Sequence, residues 1–165
     1  IDAKILYKSV GLMQFLDEAK IYVQSGKGGD GCISFRREKF VAYGGPNGGH
    51  GGKGGDVIVR SVPSLNTLID YRYQQHFRAK NGQHGMGSNR HGKSAADTIL
   101  QVPVGTQIFD ETGQFCLADF TEPGQAIVLL EGGRGGAGNS AFKSSTNQTP
   151  RTNTDGQPAK EMWIC

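Results

Sequence analysis

The chain has 165 residues, 26 of them glycine and 6 proline, and carries a net charge of +3. That length holds one domain or two small subdomains. Its glycine-plus-proline share, about a fifth, lies below the roughly 25–30% of disordered low-complexity chains. No apolar run approaches the ~20 residues of a membrane span, and so mild a basicity does not by itself specify nucleic acid.

Ile1 to Leu12 reads as an extension ahead of the domain, with Met13 a plausible start and no signal-peptide pattern. Strand-like patterning begins over Phe15 to Val23, and Ile33 and Phe35 alternate with polar neighbours before Arg36-Arg37-Glu38-Lys39. Val57-Ile58-Val59 reads as a buried strand, and Leu65 to Gln75 as a short helix or turn begun by Pro63 and Ser64. Ile99 to Val104, Gln107 to Phe109, Phe115 to Phe120 and Ile127 to Leu130 are short apolar runs separated by turn chemistry. That spacing favours an all-β sandwich or barrel. Asn139 to Pro158 reads as an ordered loop or tail, and Met162-Trp163-Ile164 as a final strand.

Between these runs glycine keeps a three-residue beat. Gly48-Gly49-His50, Gly51-Gly52-Lys53 and Gly54-Gly55-Asp56 are consecutive Gly-Gly-x triplets; Gly132-Gly133-Arg134 and Gly135-Gly136-Ala137 repeat the figure, and Gly26 to Gly31, with Gly28, Gly29 and Gly31, carry a broken version. Helices repeat every 3.6 residues and strands every two. Polyproline II has three residues per turn, so two of its three faces would here be bare glycine and neighbouring backbones could nest. Collagen is excluded by the short runs and sparse proline. The expectation is a glycine scaffold from the stretches near 26–31, 44–56, 82–92 and 132–138, interleaved with a β-barrel.

Gly87 to Ser94 satisfies Gly-x₄-Gly-Lys-Ser, the phosphate-binding loop pattern. That motif needs a buried strand before it and a helix after it. Arg78 to Met86 cannot be a core strand, and the residues after it run into the strand-like Ile99 to Pro103, so chance matching in a Gly/Lys-rich loop is the preferred reading. His50, His76, His84 and His91 lack metal-pair spacing. Cys32, Cys116 and Cys165 form no Cys-x-x-Cys pair and read as reduced thiols of a cytosolic protein. No nucleophile stands with a base, so no catalytic residue and no metal site are expected.

The cations are placed unevenly. Lys27, Arg36, Arg37, Lys39, Arg78, Lys80, Arg90, Lys93, Lys143 and Arg151, with Lys53 and Arg134, fall in glycine-rich or polar loops, and the barrel segments are nearly free of them. If those loops gather at one end, a phosphate backbone is their natural partner. The competing reading is plain solvation of polar loops. Without a stacking-aromatic signature, phosphate and shape readout is expected rather than base readout. A protein–protein scaffold is the alternative binding role, and nucleotide binding through 87–94 the least favoured.

Phe15-Leu16-Asp17-Glu18-Ala19-Lys20-Ile21, followed by Gly28-Gly29-Asp30-Gly31-Cys32-Ile33-Ser34-Phe35-Arg36-Arg37-Glu38-Lys39, strongly resembles the opening of the Obg family of GTPases. The resemblance continues through Gly44 to Val57, Val102 to Thr106, and Gly132 to Asn139 with Phe142 to Asn147 behind. It covers nearly everything from Met13 to Ile164. It implies a mainly β Obg fold, in which a bundle of glycine-rich left-handed polyproline-II-type helices sits on an eight-stranded β-barrel, spanning 13–165 behind an extension at 1–12. It also implies a cytoplasmic protein acting in assembly of the large ribosomal subunit and in stress and growth control. The loops would reach ribosomal RNA near the peptidyl-transferase centre, with regulatory proteins as further partners. The family's GTP, Mg²⁺ and guanosine tetraphosphate regulation point to a GTPase domain beyond Cys165, so this chain is expected to be non-catalytic and to hold no cofactor.

Overall fold

A computed structural model describes residues 18–39 and 44–165; the expected extension at 1–12, and the part of Phe15 to Val23 before residue 18, lie outside them. Alternating apolar positions build the sheets. In β2 (Val57–Val62) Val57, Val59 and Ser61 face inward while Ile58, Arg60 and Val62 face out, and β1 (Ile21–Gln24) buries Ile21 and Val23 in the same way. Asp70–Tyr73 is a single helical turn, α1, so only part of the expected 65–75 segment is helical. The remaining strands are β3 (His76–Arg78), β4 (Thr98–Pro103), β5 (Gln107–Phe109), β6 (Cys116–Asp119), β7 (Ala126–Leu130) and β8 (Glu161–Ile164), with a 3₁₀ turn at Asn139–Phe142 before β8.

These strands form two three-stranded sheets, β3-β1-β8 and β4-β2-β7, and a β5-β6 pair. Each central strand has one parallel and one antiparallel neighbour: β1 runs with β3 and against β8, β2 with β4 and against β7. Parallel neighbours need a long crossover, usually a helix. Here the glycine-rich excursions between strands supply it.

The fold is mainly β, but the expected eight-stranded barrel is not closed among the described residues. The strands are three to six residues long, and β5 meets the β8 side only through the Asp110–Ile164 bridge and the reciprocal Phe109–Cys165 main-chain bonds at 3.0 Å. So few rungs cannot carry a ladder around a full circumference. Ile33 and Phe35 form no strand either: Phe35 makes one isolated bridge, to Pro46, because the preceding glycine rhythm has carried this segment out of the sheets. The core gathers Val23, Val57, Val59, Leu100, Val102, Ile108, Phe120 and Ile164 between the sheets.

Candidate nucleic-acid interface

Six segments without helix or strand structure leave or re-enter the sheets: 25–32, 47–56, 79–86, 90–97, 131–138 and 153–160. Their hydrogen bonds advance in steps of three. Gly26, Gly29 and Cys32 donate to Gly55, Gly52 and Gly49 in turn; Gly133, Gly136 and Asn139 donate to Gly26, Gly29 and Cys32; Gly49, Gly52 and Gly55 donate to Met86, Gln83 and Lys80. These bonds run between segments, at 2.7 to 3.0 Å. A three-residue screw with no internal ladder is polyproline II geometry. The 25–32 and 47–56 arms occupy the centre, each bonded to four other arms, while 90–97 and 153–160 lie at the edges.

Glycine permits this nesting. A Cβ on Gly51 would overlap the Gly29 carbonyl oxygen, and one on Gly135 the Gly51 carbonyl oxygen. The same close main-chain approach holds at Gly28, Gly29, Gly31, Gly48, Gly49, Gly52, Gly54, Gly55, Gly132, Gly133 and Gly136. Such Cα–H to carbonyl contacts are weak individually but recur at every turn.

The arms pair as three out-and-back hairpins, whose far ends carry residues 33–39 with 44–46, 86–90 and 139–152. These turns are tied together. Asn89 donates its N–H to the Asn47 carbonyl at 2.7 Å, and the buried Asn139 amide donates to the Ser34 and Pro150 carbonyls at 2.9 and 3.1 Å. The middle turn is a tight pair of left-handed residues, Ser88 at φ 61° and Asn89 at φ 54°, closed by a Met86–Arg90 bridge. Along the arms His50 and His91 stack at 4.8 Å, and each accepts a main-chain N–H on Nδ1, from Gly138 and from His50 respectively. Histidine acts here as an arm-to-arm spacer. Among the described residues no three His, Cys, Asp or Glu side chains converge on a metal position.

The structure separates the cations picked out from sequence. Arg36, Arg37, Lys39, Arg90, Lys143 and Arg151 lie on the far turns, all exposed. Glu38 is the one carboxylate in those turns, so they hold more positive charge than the chain's net +3. Glu38 bonds Arg36 at 2.8 Å, which holds its carboxyl below the ordinary value. Lys27 and Lys93 sit midway along their arms, as do Lys53 and Arg134, whereas Arg78 lies on β3 and Lys80 two residues further, at the sheet end. The ten cations are therefore spread along the bundle, six of them on the far turns.

At the sheet end Asp56 anchors two arms. One carboxylate oxygen accepts the Gly132 N–H at 2.6 Å and the Lys53 ammonium at 2.8 Å. Burial alone would raise this carboxyl, but the two donors outweigh it and hold it below the usual aspartate value. The 87–94 motif lacks the required setting: its first half is the left-handed turn and its second half an extended arm leading into β4, with no helix after Lys93-Ser94.

The GTP1/OBG family model matches residues 16–165, nearly the whole chain. The chain belongs to the GTP1/OBG family. In this GTP1/OBG domain the matched span takes in both the glycine-rich arms and the basic turns. No described helix is long and apolar enough to cross a membrane.

Two features of this GTP1/OBG domain escaped the sequence reading. The Asn139 tie lies in a stretch that reads only as polar loop. Nor does the sequence show that Ile33, Met86 and Phe142 stand exposed on the far turns, because exposure of an isolated apolar residue has no local signature.

Proposed function

We propose that this chain is a non-catalytic module that binds ribosomal RNA of the large subunit, in a family whose GTP hydrolysis belongs to a separate domain. The observation that carries the reading is the gathering of Arg36, Arg37, Lys39, Arg90, Lys143 and Arg151 at one end of a hydrogen-bonded bundle. Cations held on a preformed frame neutralise phosphates without the entropy cost of ordering long loops. A role in large-subunit assembly and in growth control is part of the same proposal. The test is co-sedimentation of the chain with large ribosomal subunits across a salt series, using Arg37→Glu, Arg90→Glu and Arg151→Glu singly and together. Weaker association and a shallower salt dependence are expected, and unchanged pelleting refutes the mechanism.

A second reading, docking of a regulatory protein, draws on a different face. Ile58 is in register with Ile99 on β4 and Val128 on β7, and the two flanking residues are 48% and 50% exposed. The two roles use opposite ends of the molecule and are compatible.

A further inference from the structure

Each of the three far turns carries an exposed apolar side chain close in sequence to its cations: Ile33, 45% exposed, three residues before Arg36; Met86, 36%, four before Arg90; and Phe142, 38%, next to Lys143. We propose that this tip takes RNA at unpaired nucleotides, with Phe142 stacking on a base, and does not track a duplex backbone. The inference rests on the RNA reading above and sharpens its ligand.

Cations alone fit any phosphate chain. A duplex turns ribose and phosphate outward and keeps its base faces stacked inside, so against it three desolvated apolar groups would meet only charge and hydroxyl. Unpaired nucleotides offer base faces, and these stack on aromatic side chains whatever their identity. The three side chains also stand on fixed main chain. Met86 donates its N–H to the Arg90 carbonyl and accepts the Gly49 N–H, both at 2.9 Å. Phe142 ends the 3₁₀ turn that begins at the buried Asn139. Ile33 lies between Cys32, bonded to Gly49, and Ser34, whose carbonyl accepts from both Asn47 and Asn139. The Asn139 amide, bonded to Ser34 and Pro150, holds the first and third turns side by side. An exposed apolar group on the same turn as a cation, three times over, matches a ligand alternating base face and phosphate.

The experiment titrates the chain with two fluorescent RNAs of equal phosphate number, one single-stranded and one fully paired, over a salt series. Single-stranded RNA should bind roughly tenfold tighter or better. Phe142→Ala should remove most of that preference and leave the salt slope unchanged, with Met86→Ala as a second, smaller probe. Arg151→Glu should weaken both RNAs and lower the slope. Equal, salt-dependent affinity for the two RNAs overturns this inference and leaves the proposed function standing. Failure to bind either RNA, as expected of a tip that docks protein, overturns both.

Discussion

The side-chain oxygen of Asn139 accepts the N–H of Gly48 at 2.9 Å, across 91 positions of sequence. Its nitrogen donates to Ser34 and Pro150, so one fully buried amide joins the second arm to the first and third turns. Asn139→Ala leaves these main-chain groups unpaired in a dry site and is expected to cost about 3 kcal/mol. Asn139→Asp keeps an acceptor for Gly48 but faces two carbonyls with a carboxylate, so it should destabilise at neutral pH as well. Urea unfolding of the three proteins checks both statements; an alanine variant within about 0.5 kcal/mol of the parent would refute the tie.

The arms forbid side chains only where they touch. Gly51→Ala places a Cβ into the Gly29 carbonyl oxygen, and because both partners are backbone the bundle must open; about 3 kcal/mol or more is expected. At Gly45 the nearest atom to an added Cβ is the flexible Lys143 Nζ, 3.5 Å away, so Gly45→Ala should lie within about 0.5 kcal/mol of the parent. Gly113 has open space but φ +75°, and alanine there should cost about 1 kcal/mol from backbone strain alone. Thermal unfolding should rank Gly51→Ala worst, Gly113→Ala next and Gly45→Ala closest to the parent.

Asp56 links stability to acid. Its folded-state carboxyl is held below the usual value by Gly132 and Lys53 against the effect of burial. A depressed carboxyl contributes stability that is present at neutral pH and lost as pH falls below about 4. Asp56→Asn should lower the melting temperature at pH 7 and flatten its decline on acidification. Melting curves from pH 7 to about 3 test this; parallel declines for parent and variant would exclude the Asp56 contribution.

Position along the bundle should govern the effect of charge on RNA binding. Lys80 stands at the sheet end, where its carbonyl accepts the Gly55 N–H, and Arg151 stands on a far turn. Both are exposed, so reversing either leaves the fold intact. Arg151→Glu should reduce RNA affinity several-fold and lower the salt slope, and Lys80→Glu should change little. Fluorescence titration at two salt concentrations separates them, and equal losses would mean that the whole length of the bundle touches RNA.

The scaffold was legible in the sequence because polyproline II has a period of its own, and Gly48 to Asp56 states it three times without interruption. Strands were legible where inward positions alternate cleanly, as in Val57 and Val59. Barrel closure was not, since pairing partners such as β1 and β3 are separated by a whole arm excursion and nothing local encodes their register. The cations were visible as residues of loops but not as neighbours. Arg78 and Lys80 look no different in sequence from Arg90, yet one arm length divides them. Asn139 was invisible for the opposite reason: its three partners come from three distant segments, and a single asparagine in a polar stretch carries no sign of burial.

The glycine arms hold together through peptide groups, with few hydrocarbon side chains between them. Hydrating peptide groups on unfolding lowers heat capacity, whereas hydrating hydrocarbon raises it. The enthalpy holding the arms together therefore grows on cooling, while the cohesion of the sheets around Val57 and Phe120 weakens in the usual way. A single chain thus carries two thermal responses, and cooling should loosen the sheets before the end bearing the basic turns.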